Sequence, residues 1–302
     1  MPQQARRQRL GIFPRLSGPG KDGLAPMLFL LPSLAGFAMF YLIPFIGGIY
    51  YSVMDSPVDG TFVGTHNYHE VWSSESFRKA AINTARFTGI GVPLLLFISL
   101  AIAVLLNRTL PFRRWFRTAF VLPLVVPVAS VVLFWQVLFD THGWLNKLLV
   151  TSGHAPINWM ESSEAQAVII LMYVWKNAGY NIVLLLAGLQ TIPKDYYESA
   201  SIDGAGAFRQ FFGITLRYLI PTLFFVTIIS VVGSFKVFRE TYLMAGEYPH
   251  DSIYMLQHYM NNMFLSLDYQ KLTSAAYIMA TGIIAVVVLL FQVDRRFRHS
   301  IE

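Results

Sequence analysis

Six long apolar runs, at about 25–53, 80–106, 116–139, 165–189, 218–238 and 273–292, leave this chain few folds to choose from. Each run is long enough to cross about 30 Å of hydrocarbon at about 1.5 Å per helical residue. Hydrocarbon offers peptide groups no partner, so each run must satisfy its own backbone as a helix. The chain is therefore expected to be an all-α membrane protein with six transmembrane helices. Composition agrees: 55% of the 302 residues are hydrophobic and 13% are charged. A soluble domain carries roughly twice that charged fraction. The first run is too long for a cleaved signal peptide and continues into a polar loop with no small-residue cleavage pattern. With no cysteine, the chain has neither a disulfide framework nor a thiolate metal site.

The charges sort by side. Arg6, Arg7, Arg9, Arg15 and Lys21 precede the first run, and Arg108, Arg113, Arg114 and Arg117 follow the second. Lys194, Arg209 and Arg217 follow the fourth, and Arg295, Arg296 and Arg298 follow the sixth. The alternate loops carry only Arg78, Lys79, Lys147, Arg239 and Lys271. The positive-inside rule then puts both termini in the cytoplasm. The net charge of +6 flanks spans instead of forming an aromatic-interleaved basic domain, which disfavours nucleic acid as a partner. The organisation read from this pattern is a cytoplasmic tail over 1–24, a membrane domain over 25–292 and a cytoplasmic tail over 293–302.

Proline marks several spans. Pro32 and Pro44 should bend or break the first; Pro93, with Gly89 and Gly91, lies in the second, and Pro123 and Pro127 in the third. The tail holds an interfacial stretch around Leu10–Phe13. The outer loops are 54–79, 140–164 and 239–272. The first has turn chemistry at Ser56-Pro57 and Asp59-Gly60 and then a short amphipathic stretch. Glu240, Glu247, Asp251 and Asp268 fall in the last. Its amphipathic stretch Ser252–Met263 is expected to lie along the membrane surface.

The loop 190–217 is unlike the rest. Pro193 suits a helix start, and Asp195 and Glu198 suit the N-terminal end of a helix dipole. Ser199, Ala200 and Ser201 are small, and Gly204 can end the helix in a left-handed conformation. A second short helix over about 206–214 would then present Phe208, Phe211 and Phe212. Two readings fit: a surface that receives force from another protein, or an amphipathic linker lying on the bilayer.

In register, Glu198, Ala200, Asp203, Gly204, Ala205, Phe211, Ile214 and Leu216 match the pattern E-A-A-x-x-D-G-A, five positions, F-x-x-I-x-L-P. This resembles the EAA motif of permease subunits of binding-protein-dependent ABC importers. Ser199 replaces the second motif residue, and Arg217 replaces the final Pro, which leaves open how the fifth span begins. Further stretches resemble the sugar-type branch: Phe29-Leu30-Leu31-Pro32, Tyr41-Leu42-Ile43-Pro44, Phe62-Val63-Gly64 with Asn67-Tyr68, and Asn83-Thr84. So do Arg117-Thr118-Ala119-Phe120 with Leu122-Pro123, Val174-Trp175-Lys176, Leu185 to Gln190 with Ile192-Pro193, and Phe235 to Tyr242. The resemblance implies a type I importer permease in a bacterial or archaeal cytoplasmic membrane. It implies a second, related permease chain, two ATPase subunits and an extracytoplasmic solute-binding protein. ATP and Mg would reside on the ATPase subunits, with no cofactor and no catalytic residue in this chain. Glu198 would make the ionic contact in an ATPase cleft, the small residues would allow close seating, and Gly204 would make the turn.

Two cations fall inside spans, Lys176 in the fourth and Arg86 in the second. Each costs roughly 2.5–3.5 kcal/mol at a helix centre, and no Asp or Glu is read in the spans to pair with them. Arg86, near a span end, is expected to snorkel. Lys176 is the candidate for a wet cavity. Tyr180 shares its face, and Asn177 and Asn181 share the next one, so the four residues are a candidate substrate pathway. An unpaired Lys176 leaves room for an acidic saccharide or a sugar phosphate. Ser230 and Ser234 are expected to bond their own helix backbone. His66, His69 and Glu70 lack the second cluster a metal site needs. Gly18-Pro19-Gly20-Lys21 lacks the spacing of a phosphate loop and has Asp22 where Ser or Thr is required. An ion-coupled secondary transporter is the competing reading, but it would use intramembrane acids and repeated bundles. A membrane enzyme would need a nucleophile and base at membrane depth, and none is read.

Overall fold

A computed structural model of the chain describes residues 24–108 and 113–299, with side chains over 29–108 and 115–296. The tail before residue 24, with the stretch Leu10–Phe13 and Gly18–Lys21, lies outside the described residues. Among the described residues the structure is helical apart from loops and one isolated bridge between Met54 and Phe62. Among the described residues, six helical stretches are long and apolar enough to cross a membrane.

The first stretch belongs to a unit that ends at Tyr50 and is described by itself. Helix α1, Leu24–Phe37, runs through Pro32 without a break. A π-turn, Ala38–Leu42, then leads into α2, Ile43–Ser52. Pro44 has no N–H to donate and its ring crowds the carbonyl four residues back. Widening the preceding turn to an i→i+5 bond, from the Ile43 N–H to the Ala38 carbonyl, accommodates it.

In the second unit, α3, His66–Ser73, precedes α4, Glu75–Asn107. Ser74 caps α4 by accepting a hydrogen bond from the Phe77 N–H, so the helix starts five residues before the apolar run does. Pro93 is absorbed inside α4 without ending it. The third apolar run is not one helix. It forms α5, Arg113–Val125, and α6, Val128–Phe139, separated at Val126 and Pro127. The ring of Pro127 pushes Val126 out of the helical region, which ends α5. Pro123, by contrast, sits inside α5. After α7, Trp144–Thr151, comes α8, Ala165–Gln190. Then follow α9, Lys194–Ile202; α10, Ala207–Gln210; a π-turn, Phe211–Thr215; α11, Leu216–Ser234; and α12, Phe238–Ala245. Helices α13, Leu256–Leu265, and α14, Tyr269–His299, complete the unit. The last span thus continues as helix into the expected C-terminal tail.

Helix α8 is the centre of this unit. It packs against α4, α5 and α11, and 61% of its most apolar window is buried, against 11% for α14. Small residues set these approaches. A Cβ at Gly179 would stand 1.9 Å from the Phe120 carbonyl oxygen, and one at Gly188 would stand 2.6 Å from Thr222 Oγ1. Polar ties cross the same contacts. The Tyr173 hydroxyl donates to the Ser230 carbonyl at 2.7 Å, and the Asn181 amide donates to Ser230 Oγ at 2.9 Å. Thr88 and Ser234 share a hydroxyl bond at 2.8 Å. Such ties average about 0.6 kcal/mol in a membrane, so they set register more than they add stability. Ser234 also donates to its own Val231 carbonyl, as expected, whereas Ser230 bonds across helices, which corrects the expectation for it.

The loops at one end of this unit form a second small core. Val71, Phe77, Ala80, Leu256, Tyr259 and Ala275 are buried together. The apolar face of the Ser252–Met263 stretch is therefore packed against protein, a correction to its expected place on the membrane surface. Leu256 and Tyr259 find apolar partners on α3, α4 and α14 and have no need of lipid. Asparagines pin these loops. Asn83 donates to the Asp251 and Tyr254 carbonyls, and Asn67 donates to those of Ser52 and Met54.

Candidate functional site

At the opposite end of α8, the loop 190–217 forms a helical hairpin. Pro193, in extended conformation, precedes α9 as its N-cap residue, and Asp195 lies in the first turn. Gly204 has φ +77 and ends α9. The Ala205 N–H donates to the Ala200 carbonyl at 2.8 Å and the Gly204 N–H to the Ser201 carbonyl at 3.1 Å. This pair of bonds is the Schellman arrangement, and it satisfies carbonyls that the helix end would otherwise orphan. The expected second short helix is corrected. Residues from Ala207 onward pass through the π-turn into α11 as one helical stretch to Ser234.

Side chains tie the hairpin closed. Gln210 Nε2 donates to Ser201 Oγ and to the Ala205 carbonyl, both at 2.9 Å, and the Tyr197 and Thr215 hydroxyls meet at 2.9 Å. Neither tie is foreseen from the sequence, because a polar residue on a short helix gives no signal of its partner across a turn. Glu198, Ser199, Asp203 and Gly204 are exposed, while Ala200, Ala205, Phe211 and Leu216 are half-buried. Ile214 turns inward and packs against the main core. Two large apolar side chains remain at the tip, Ile202 at 86% exposure and Phe208 at 82%. The hairpin is thus a braced unit with an acidic and apolar outer face.

The second candidate region lies among the spans. A cavity of about 380 Å³ is lined by Leu124, Val126 and Val128 at the break between α5 and α6, and by Met172, Tyr173, Lys176 and Asn177 of α8. Gly233, Lys236, Val237, Arg239 and Glu240 close it from the α11–α12 junction. That junction is a second break, a turn over 235–237. Non-helical backbone within a spanning stretch is stable only where it is buried in protein or lines a wet cavity, and here two such breaks meet. Larger pockets of about 760 and 740 Å³ open among the loops, but neither includes a break in a span.

Lys176 is not unpaired. Its Nζ donates to Glu240 Oε1, and the two side chains are 14% and 12% exposed. This corrects both the expectation of a lone intramembrane cation and the placement of Glu240 in an outer loop. Glu240 lies in α12, just past residue 238, where the hydropathy pattern ends the fifth apolar run. Asn177 shares the cavity but spends its amide on the Tyr173 carbonyl. Tyr180 and Asn181 do not line it: Tyr180 is exposed elsewhere, and Asn181 is buried against Ser230. Lys236 and Arg239, which the sequence reading left out of the site, do line it. Lys236 stands two residues from the apparent end of a span, and Arg239 just beyond, so both read as ordinary flanking charges. Arg86 is exposed, as a snorkelling side chain should be. His66 and Glu70 form an i,i+4 pair at 3.4 Å, and no group of three or more His, Asp or Glu able to hold a metal occurs among the described residues.

Residues 91–299 match the family model described as "Binding-protein-dependent transport system inner membrane component". The chain is 31% identical over 272 residues to the arabinooligosaccharides transport system permease protein AraP of Bacillus subtilis, covering 88% of this chain and 85% of that one. It is 30% identical over 293 residues to the sn-glycerol-3-phosphate transport system permease protein UgpA of Yersinia pestis, covering 93% and 99%. Its fold is similar to a chain in the crystal structure of a bacterial ABC transporter involved in the import of the acidic polysaccharide alginate. There the TM-score is 0.80 at 22% identity, covering 90% of this chain and 96% of that one.

Proposed function

The chain belongs to the family of binding-protein-dependent transport system inner membrane components, and on that premise we propose that it is one of two permease subunits of a carbohydrate importer. It is a multi-pass membrane protein of a transport family, not of a catalytic one. In the proposed complex a second, related permease completes the pathway, two ATPase subunits bind below, and a solute-binding protein delivers a mono- or oligosaccharide from outside. The site is a bacterial or archaeal cytoplasmic membrane, with the hairpin on the cytoplasmic side where the basic residues gather.

The observation that carries this reading is the hairpin. It pairs exposed Glu198 and Asp203 with exposed Ile202 and Phe208, and its turn is fixed by the left-handed Gly204. An apolar tip of this kind is an interface awaiting a partner. Because residues from 207 to 234 run as helix from the hairpin to the α11–α12 junction, force applied at the hairpin reaches the edge of the cavity before it meets a break. Movement of the hairpin on ATP-driven closure would shift α11 and, through it, the α11–α12 junction. The cavity at that junction is the proposed substrate pathway, with Lys176 held by Glu240 as a strut that shapes it.

The direct test is uptake by the complex in proteoliposomes. The complete importer, with its binding protein and ATP, should accumulate labelled oligosaccharide, and omission of either should abolish accumulation. Uptake driven by an ion gradient without ATP would favour a secondary transporter instead.

A further inference from the structure

Resting on the carbohydrate reading, we propose that Lys236 and Arg239 form an anion-recognition site in the permease, selecting saccharides that bear a carboxylate or phosphate. The cavity at the two helix breaks holds three cations, Lys176, Lys236 and Arg239, and a single carboxylate, Glu240. Glu240 is committed to Lys176, with both side chains nearly buried. Lys236 and Arg239 have no carboxylate within ion-pair distance among the described residues, and both are exposed. The cavity therefore keeps an uncompensated positive charge of about two units at its exposed edge, which draws an anion towards it.

The arrangement selects, and does more than attract. Arg239 can take a carboxylate or phosphate in bidentate fashion, whereas Lys236 acts as a point charge. Lys236 is presented from the turn over 235–237 and Arg239 from the first turn of α12 just after it. Tyr173 and the aliphatic residues at the α5–α6 break supply the apolar wall that the face of a sugar ring requires. A neutral saccharide would leave both cations without a counter-charge as it displaced their water, and that cost discriminates against it.

The test is uptake by the reconstituted importer with its binding protein, using three labelled probes: digalacturonate, a sugar phosphate and neutral galactobiose. The wild-type complex should transport an acidic probe in preference to the neutral one. Replacing Lys236→Gln together with Arg239→Gln should lower uptake of that probe about tenfold or more while the complex still assembles. The charge-retaining pair Lys236→Arg with Arg239→Lys should restore most of it, which separates charge from packing. The acidic probe that responds identifies carboxylate or phosphate as the ligand. Preferential transport of galactobiose, or acidic uptake unchanged in the Gln variant, would overturn the anion site and leave the carbohydrate reading intact. Failure to transport any of the three would count against both.

Discussion

Lys176 and Glu240 show how a single buried pair governs its surroundings. Removing one partner leaves the other charged and mostly buried, at a cost of up to about 3–5 kcal/mol, less whatever the cavity's water recovers. Lys176→Met should therefore lower the melting temperature of the purified complex clearly. The double replacement Lys176→Met with Glu240→Leu should recover much of the loss, because no stranded charge remains. Unchanged melting in the single variant would mean that water reaches the pair freely. A different residue sets a pH dependence. His258 of α13 is fully buried, and its Nε2 has no partner among the described residues. Burial holds its pKa at about 4, down from an ordinary 6.5. Between those values the unfolded chain binds a proton that the folded chain refuses. Stability of the loop core is thus greatest above about pH 6.5 and falls as pH drops towards about 4, by roughly 3 kcal/mol in all. Hydrogen exchange in α13 should speed up over that interval relative to α14, and His258→Leu should remove the difference.

At the level of elements, the spans were legible in the sequence and their joints were only partly so. Hydropathy locates the crossings because hydrocarbon imposes one length scale on all of them, except that the third stretch of sufficient length is Val128–Thr151, shifted from the expected 116–139. It cannot tell Pro93 and Pro123, which their helices absorb, from Pro127, which ends one. That outcome depends on which neighbours re-satisfy the freed carbonyl, a tertiary matter. The Schellman turn was readable because only Gly204 tolerates its φ cheaply. The brace by Gln210 was not, since it joins residues nine apart across that turn. Lys176 was noticed for its burial cost, but Glu240 was hidden beyond the apparent end of a span. Close helix approach gives a further expectation. Gly179→Ala puts a methyl 1.9 Å from the Phe120 carbonyl oxygen, which is backbone and cannot swing aside. Helices α5 and α8 must then separate, and overpacking of this kind costs about 1–3 kcal/mol. A thermal shift of the variant complex measures it, with Ala178→Gly as a nearby control.

At the largest scale, the two candidate regions sit at opposite ends of the helical path from Ala207 to Ser234. Gly204→Val tests that path at its source. The substitution strains a left-handed residue by about 1–2 kcal/mol, distorts the hairpin tip and leaves the cavity untouched. The expected result is uncoupling: docking of the binding protein persists while uptake per ATP hydrolysed falls. Normal uptake in a well-expressed variant would remove the turn from the coupling pathway. The central claim, that the hairpin receives the ATPase, has a more direct measurement. The chain contains no cysteine, so Ile202→Cys introduces a single thiol at its most exposed tip. A thiol-to-amine crosslinker applied to the assembled complex should join this residue to an ATPase subunit, with a yield that changes between nucleotide-free and ATP-trapped states. Absence of any ATPase adduct in an intact complex, with the thiol labelled by lipid-soluble reagents instead, would contradict it and return the hairpin to a linker on the bilayer.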